Sequence, residues 1–171
     1  MVRPFRAQDH AAIQGAVKAV YDAYGFTWEP QAYHADLFDI PGHYAYFWVA
    51  ELAGDVVGGV GLQPHALTPG AAGGVTHRRV NATDAELVRL YLHPRAHKHG
   101  LGRALTQAVI DQAQTLGLQA LELWSDKRFT DAHALYLKMG ARIVGERICD
   151  DPDESPEWGL YLPIQASAPT P

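Results

Sequence analysis

Apolar residues recur at helical spacing in three segments of the chain, and a glycine that can end a helix follows each segment closely. The predicted helices cover residues 10–23, 102–116 and 130–139. Asp9 is expected to cap the first helix, because its carboxylate can accept hydrogen bonds from free backbone N–H groups. A further short helix is predicted over residues 30–39, with Pro30 in its first turn.

β-Branched and aromatic residues are concentrated in the remaining apolar segments, which predict strands. The predicted strands cover residues 2–6, 44–52, 56–63, 86–93, 118–124, 142–149 and 158–164. Glycines weaken the prediction of the third strand, residues 56–63, because glycine has no side chain to pack in a strand. Residues 64–83 are predicted to form a long loop, and the acidic run between residues 150 and 157 a solvated one.

The order of these elements predicts a mixed α/β fold. It runs strand, helix, helix, three strands, helix, strand, helix and two strands. A strand–helix–strand unit in the second half predicts one parallel pair, whereas the first half predicts antiparallel neighbours. With 171 residues, the chain is expected to form one domain over residues 1–165, followed by a flexible tail over residues 166–171.

Composition and charge narrow the classes of function. Hydrophobic residues make up 47% of the chain and charged residues 19%, which excludes bulk disorder. The net charge of −5 argues against a nucleic-acid partner, which needs a basic surface. The single cysteine, Cys149, excludes an internal disulfide. No apolar run approaches the ~18 residues that cross a bilayer and the first residues do not resemble a signal peptide, so we expect a cytoplasmic protein without a membrane partner.

The segment from residue 90 to residue 104 carries the candidate chemistry. A predicted strand is followed by a basic turn and then by Gly100 and Gly102 at the start of a predicted helix. Helix starts have unpaired N–H groups and partial positive charge, and therefore bind anions. The sequence between the first and last of four cations contains no acid; the cations are Arg89, Arg95, Lys98 and Arg103. We expect this segment to bind a diphosphate or a similar polyanion.

Two motifs resemble those of a known family. Residues 86–94, ELVRLYLHP, and residues 100–105, GLGRAL, resemble the acetyl-CoA-binding core of the GNAT-type N-acetyltransferases. Residues 132–141, AHALYLKMGA, resemble the second motif of that family, and the element order is similar over residues 2–164. The resemblance implies a mostly antiparallel sheet that contains one splayed parallel pair, with helices on both faces. It also implies acetyl-CoA as co-substrate, bound between the strands of that pair, and no metal.

The resemblance also assigns cofactor contacts. The strand backbone would bind the pantetheine, the backbone amides of the basic turn would bind the pyrophosphate, and the second-motif helix would flank the cofactor. The implied contact residues are Leu90, Tyr91, Leu92, His97, Lys98, His99, Gly100, Leu101, Gly102, Arg103, Ala104, Phe129, Ala132 and His133. His97 stands where the family usually has Arg or Gln, and Phe129 where it often has Asn. A histidine can donate a hydrogen bond to phosphate, with an affinity expected to fall above pH ~6.5.

Two residues match catalytic positions of the family. Tyr136 matches the tyrosine that faces the sulfur, and its hydroxyl is protonated at neutral pH and can donate to the departing thiolate. The alternative is a tyrosine that only packs at a helix end. Glu86 is the predicted general base, because carboxylates near this strand start serve some family members. His65, His77 and a chain of waters are the alternatives.

Aromatic residues cluster around the loop after the first predicted helix, a region that shapes the acceptor pocket in the resembling family. The predicted substrate-binding residues are Tyr24, Phe26 and Trp28, with core packing as the alternative. His93, His97 and His99 lie among cations with no local carboxylate or cysteine, which argues against a metal site.

The expected function is acetyl transfer from acetyl-CoA to a primary amine of a small molecule or peptide, by direct attack. An alternative of another class is a non-catalytic acyl-CoA-binding or sensing module on the same fold. A third alternative, a nucleotide-phosphate enzyme, would bind ATP more strongly than coenzyme A. Family members often pair, so a homodimer is an alternative to a monomer.

Overall fold

The computed structural model describes residues 1–65 and 83–165. Its strands are β1 (Val2–Pro4), β2 (Tyr46–Leu52), β3 (Asp55–Pro64), β4 (Ala85–Leu92), β5 (Ala120–Asp126), β6 (Arg142–Ile148) and β7 (Pro156–Pro163). Its α-helices are α1 (His10–Tyr24), α2 (Ile40–His43), α3 (Leu101–Thr115) and α4 (Thr130–Lys138). Short 3-10 helices lie at Ala7–Asp9, Ala35–Phe38 and Pro94–Ala96. Within the described ranges, no helix is long and apolar enough to cross a membrane.

One mixed sheet joins the strands in the order β1-β2-β3-β4-β5-β7-β6. Among the strands of the described ranges, only β4 and β5 pair in parallel. Residues 85–87 of β4 pair with residues 121–123 of β5. Beyond this short ladder β5 remains paired with β7 as far as Asp126, whereas β4 remains paired with β3. The predicted mixed sheet with one splayed parallel pair is therefore confirmed. The splay leaves a gap in the sheet between the ends of β4 and β5.

Close contacts explain why β3 is rich in glycine and still forms a strand. A Cβ atom on Gly58 would lie 2.2 Å from the carbonyl oxygen of Tyr91, and one on Gly59 would lie 2.6 Å from the Phe47 ring. Only glycine fits at both positions, because any side chain would displace the neighbouring backbone or ring. The third predicted strand is thus present despite its glycines.

Helices cover both faces of the sheet through two hydrophobic clusters. Ala50 of β2 joins the cluster that contains the buried Leu105 of α3. Its neighbour Val49 joins the cluster that contains the buried Ile13 of α1, because successive strand residues point to opposite faces. Each fully buried Leu or Ile stabilises the fold by about 1.5–3 kcal/mol. The two clusters place α1 and α3 on opposite faces, on either side of the gap.

Asp9 occupies the N-cap position of α1 as predicted, but the expected hydrogen bond from its side chain to the helix is wrong. Asp9 has helical backbone angles and belongs to the 3-10 helix that precedes α1, and its side chain does not cap α1. Its carboxylate accepts a hydrogen bond from the Arg6 N–H at 2.8 Å and pairs with Arg3 at 2.7 Å. A charged partner from β1 thus takes the carboxylate that local sequence reasoning assigned to the helix.

The predicted helix over residues 30–39 is also wrong. The structure has turns, the 3-10 helix Ala35–Phe38 and then α2. The carbonyl of Tyr33 accepts a hydrogen bond at 2.9 Å from the Arg89 guanidinium of β4 instead of from a helical N–H group. The predicted loop over residues 64–83 lies mostly outside the described residues, as does the predicted tail over residues 166–171.

Candidate active site

Two adjoining cavities lie at the gap between β4 and β5. The larger cavity has a volume of about 610 Å³ and extends along the gap from the start of α3 to α1 and β7. The smaller cavity has a volume of about 260 Å³ and shares part of this wall. The smaller cavity is lined by Tyr33, Tyr44, Glu86, Leu87, Val88, Arg89, Tyr91, Trp124, Arg147 and Glu157.

Most of the residues predicted from the sequence line the larger cavity. They are Tyr24, Phe26, Leu90, Tyr91, Leu92, His97, Lys98, Gly100, Leu101, Gly102, Arg103, Phe129, Ala132 and Tyr136. Glu86 lines the smaller cavity. The predicted residues that line neither cavity are Trp28, His99, Ala104 and His133.

The residues outside both cavities have other partners. Trp28 stacks on His34 with ring centres 4.2 Å apart. The Nε2 atom of His133 lies 3.0 Å from the hydroxyl of Ser125, and burial lowers the pKa of this histidine. The Nδ1 atom of His99 lies 2.9 Å from the carbonyl oxygen of His97. These side chains therefore lie outside the cavities in which they were expected.

The start of α3 presents unpaired N–H groups to the larger cavity. Gly100 precedes the helix with a φ of 74°, and the first helical bond runs from the Ala104 N–H to the Gly100 carbonyl at 3.1 Å. The N–H groups of residues 101–103 therefore have no partner within the helix. A Cβ atom on Gly102 would lie 3.3 Å from Leu135 of α4, so this position has room for little more than glycine. The free N–H groups and the helix dipole together favour an anion here.

Two of the four cations predicted to serve this anion site are held elsewhere. Arg89 pairs with Asp36 at 2.7 Å, and Arg95 pairs with Asp55 at 2.8 Å. The cations that line the larger cavity at the start of α3 are Lys98 and Arg103. His97 also lines the cavity, and its Nε2 atom lies 3.2 Å from the carbonyl oxygen of Leu92 at the end of β4.

Tyr136 of α4 lines the larger cavity although only 4% of its surface is exposed. Its hydroxyl makes no hydrogen bond with another residue of the described ranges. Burial, and then the neighbouring Tyr91, raise the pKa of Tyr136, so its hydroxyl stays protonated at neutral pH. This hydroxyl can therefore donate to an atom placed in the cavity.

Glu86 faces the smaller cavity beside Glu122, its partner in the parallel ladder. Burial, and then the negative charge of Glu122, raise the pKa of Glu86 to about 7. A carboxyl group with this pKa can accept a proton near neutral pH. Of the alternative bases, His65 lines neither cavity and has its Nε2 atom 3.4 Å from Glu122 Oε1. His77 lies outside the described residues.

β4 bends at Arg89, which has a left-handed φ of 52°. The register with β3 shifts at the same place, between Gly59 and Gly61. A left-handed conformation costs a non-glycine residue about 1–3 kcal/mol. The Arg89 guanidinium offsets this cost by binding both carboxylate oxygens of Asp36, at 2.7 and 2.8 Å. The ion pair ties the segment before α2 to the bend of β4.

Aromatic rings form the wall of the larger cavity near α1. Tyr24 and Phe26 stack with ring centres 5.4 Å apart, and Phe129 meets them edge-on at 4.9 and 5.7 Å. Phe129 also contacts Tyr91 of β4, with ring centres 6.2 Å apart. The residue that departs from the family pattern is thus part of an aromatic wall that joins α1, β4 and the start of α4.

The acidic segment between β6 and β7 is largely exposed, as predicted for a solvated loop, but part of it reaches the site. Asp153 accepts hydrogen bonds from the N–H and the hydroxyl of Thr27, at 2.8 and 2.7 Å. Asp151 and Glu157 line the larger cavity. The two bonds from Thr27 hold the segment against the loop that follows α1 and so keep Asp151 beside the cavity.

Sequence reasoning missed a charged pair on β6 and β7. The Nε atom of Arg147 donates to Glu157 Oε2 at 2.6 Å, because these residues are cross-strand partners. The guanidinium carbon of Arg147 lies 4.1 Å from the centre of the Trp124 ring of β5. The sequence did contain a signal for this pair. In an antiparallel pairing of the last two predicted strands, residues just before and just after the connecting loop lie opposite each other.

Comparison with known proteins places this geometry in a family. Residues 13–141 match the family model described as Acetyltransferase (GNAT) family, a match that contains β4, the start of α3 and Tyr136. The chain belongs to the GNAT acetyltransferase family. Acetyl-CoA-dependent N-acetylation is the general chemistry of GNAT proteins, and the motifs that predicted membership lie at the gap between β4 and β5.

Relatives and solved structures agree with GNAT membership. The chain is 29% identical over 148 residues to YjgM of Escherichia coli (strain K12), an uncharacterized N-acetyltransferase, with 82% of this chain and 80% of that protein covered. It is 30% identical over 129 residues to N-acetyltransferase family 8 member 3 of Mus musculus, covering 71% of this chain and about half, 53%, of that longer protein. The structure of yncA from Salmonella typhimurium with its cofactor acetyl-CoA has the same fold, with a TM-score of 0.68, 17% identity and coverage of 100% and 97%.

Proposed function

We propose that this GNAT protein transfers the acetyl group of acetyl-CoA directly to a primary amine of a small molecule or peptide. The observation that carries the proposal is the gap between β4 and β5. One cavity there joins the free N–H groups of α3 to the Tyr136 hydroxyl, and it adjoins the cavity of Glu86. A donor for a thiolate and an acceptor for an ammonium proton thus lie on one continuous wall.

The lining and volume of the larger cavity support acetyl-CoA as its ligand. The N–H groups of residues 101–103 would bind the pyrophosphate, with Lys98 and Arg103 beside it. On the side of β5, the backbone of residues 90–92 has no strand partner among the described residues, and it would pair with the amides of the pantetheine. The volume of about 610 Å³ is typical of sites that bury most of a small ligand, which span about 300–1,000 Å³. Phe129 and Ala132 would flank the cofactor.

Two side chains would move the protons of the transfer. The amine nitrogen attacks the thioester carbonyl carbon, so that a C–N bond forms and the C–S bond breaks. Glu86, whose pKa is raised to about 7, accepts the proton that the attacking amine loses. The Tyr136 hydroxyl donates to the departing sulfur.

Direct attack agrees with the position of the single cysteine. Cys149 lines neither cavity, and burial raises the pKa of its thiol to about 11. A thiol in this state is a poor nucleophile, because the thiolate is the reactive form. The proposal therefore needs no acetylated cysteine.

Thermal unfolding and coenzyme A release test the proposed function. At 100 times its Kd, acetyl-CoA should stabilise the protein by about 2.7 kcal/mol, which raises Tm by about 5–10 °C for a chain of this length. Coenzyme A should then be released only when an amine from a broad panel is added. Binding without release on any amine would indicate the acyl-CoA-binding module instead, and a larger Tm shift with ATP would indicate a nucleotide-phosphate enzyme.

A further inference from the structure

The smaller cavity carries more charge than a simple amine would need. Beside Glu86 it is lined by Arg89, Arg147 and Glu157, so acids and cations face the same space. Its volume of about 260 Å³ is the share of on the order of nine water molecules in the liquid. There is room for a small polar acceptor next to the proposed base. The four charged residues around this space determine which charged groups the acceptor needs in order to bind.

Arg89 has less of its guanidinium left for a ligand than Arg147, because only its Nη1 group makes no hydrogen bond with the described residues. Its Nε and Nη2 atoms bind the carboxylate of Asp36, and Nη2 also donates to the Tyr33 carbonyl at 2.9 Å. Asp36 is not part of the cavity wall and balances the charge of Arg89 from outside. Arg89 therefore mainly holds this wall in place, and Arg147, whose carboxylate partner Glu157 itself lines the cavity, keeps both Nη groups for a ligand.

Arg147 is held in place and keeps one edge of its guanidinium for a ligand. Its Nε donates to Glu157, and its guanidinium carbon lies 4.1 Å from the centre of the Trp124 ring. Its two Nη groups make no hydrogen bond with any residue in the described part of the chain. A planar pair of N–H donors of this kind matches a carboxylate through two parallel hydrogen bonds.

The acids of the cavity complement the other end of such a ligand. The Glu86 carboxylate makes no hydrogen bond to another described residue, and the Glu157 carboxylate uses only Oε2, for Arg147. These carboxylate oxygens can accept hydrogen bonds from an ammonium group. The smaller cavity thus offers acceptors for a cation and a fork of donors for an anion, within a space that suits a single small molecule.

We propose that the acceptor is a free α-amino acid, with its amine at Glu86 and its carboxylate bound by the Nη groups of Arg147. The inference rests on the proposed function and adds the class of acceptor. An α-amino acid carries its ammonium and its carboxylate on one carbon, so both charges fit in the same small cavity. A polyamine or a peptide N-terminus has no carboxylate beside the amine and would leave the Arg147 donors to water.

The decisive comparison is each L-amino acid against its own α-amide, which has the same amine and side chain but no carboxylate. With acetyl-CoA saturating, the best amino acid should have a kcat/KM at least about tenfold above that of its amide, the loss expected when a charged hydrogen-bonded partner is removed. Simple alkylamines should be no better than the amides. The amide amine loses its proton more easily, so a preference for the acid would report recognition of the carboxylate.

Variants of Arg147 separate recognition from folding. Arg147→Gln should lower the acid-to-amide ratio to about 1, chiefly by raising KM for the acid, and Arg147→Lys should restore part of the ratio. Arg142→Gln is the matched control, because Arg142 lies on the same strand with its guanidinium over Tyr161 and lines neither cavity. This control should keep the full ratio. An unchanged Tm shift with acetyl-CoA would show that each variant is folded.

Several results would overturn the inference. The inference is wrong if the unmodified protein acetylates amides or alkylamines as efficiently as amino acids. It is also wrong if Arg147→Gln lowers the activity on an amino acid and on its amide by the same factor. Transfer only to polyamines or peptide N-termini would overturn the inference and leave the proposed function standing. Binding of acetyl-CoA with no transfer to any amine would overturn both.

Discussion

Replacing Glu122 with glutamine tests whether Glu86 is the general base. The two residues are partners in the ladder between β4 and β5, and Glu122 is fully buried. Burial is the largest cause that raises the pKa of Glu86 to about 7, and the charge of Glu122 is the second. Glu157 raises this pKa further, whereas Arg147 and Arg89 lower it. Removing one like charge while burial remains should lower the pKa of Glu86 by about one unit, or about 1.4 kcal/mol.

The assay is the pH dependence of kcat/KM for the best acceptor at saturating acetyl-CoA, corrected for the fraction of the acceptor amine that is protonated at each pH. A base must be ionised to act, so activity is lost as the pH falls through the pKa of Glu86. With a pKa of about 7, the enzyme should keep about a tenth of its plateau activity at pH 6. In Glu122→Gln the pKa would be near 6, so about half of the plateau should remain at that pH.

Two further variants make this test specific. Glu86→Gln should remove the acid limb together with most of the activity. Glu146→Gln removes a carboxylate that is 62% exposed and lines neither cavity, and should leave the profile unchanged. The reasoning is refuted if Glu122→Gln binds acetyl-CoA normally but keeps the acid limb of the parent enzyme. An acid limb near pH 7 that persists in Glu86→Gln would also exclude Glu86 as the base.

Two substitutions test the larger cavity. Gly102→Glu should weaken acetyl-CoA binding in calorimetry by about 100-fold or more, since it places bulk and a negative charge at a helix start that favours anions. The control Gly15→Glu, on the exposed side of α1, should have no effect on binding. Equal affinity of the two variants for acetyl-CoA would contradict the phosphate site. Tyr136→Phe should lower kcat by about 100-fold, the lower end of the range for a proton donor, with little change in the Kd for acetyl-CoA, and an unchanged kcat would remove its role.

Most of the fold follows from local patterns in the sequence. The three long helices and all seven strands lie within a few residues of their predicted positions, because apolar periodicity and glycine stops act over one element at a time. Gly25 and Gly117 adopt the positive φ values, 71° and 69°, that end α1 and α3. The side-chain bond expected from Asp9 and the helix expected over residues 30–39 are both absent where an arginine from a strand binds the polar group instead.

The larger cavity was also accessible to sequence reasoning, because one continuous strand–turn–helix segment builds its anion end. Residues 90–104 supply both the free edge of β4 and the start of α3. The family resemblance then added Tyr136 and Glu86, and the structure places them in adjoining cavities. Predicted contacts that line neither cavity, such as Ala104 and His133, were selected by position along the chain, which does not determine the direction in which a side chain points.

The sequence by itself determined the elements, their order and the helix start that suits a diphosphate, since these depend on residues close together in the chain. Only the tertiary structure decided the smaller cavity, where we propose that the acceptor binds. Glu86, Trp124, Arg147 and Glu157 come from four different strands, and Arg89 is fixed by an acid more than fifty residues earlier, Asp36. Their distances, charges and pKa shifts arise from sheet pairing and burial between distant segments, which local pattern does not encode.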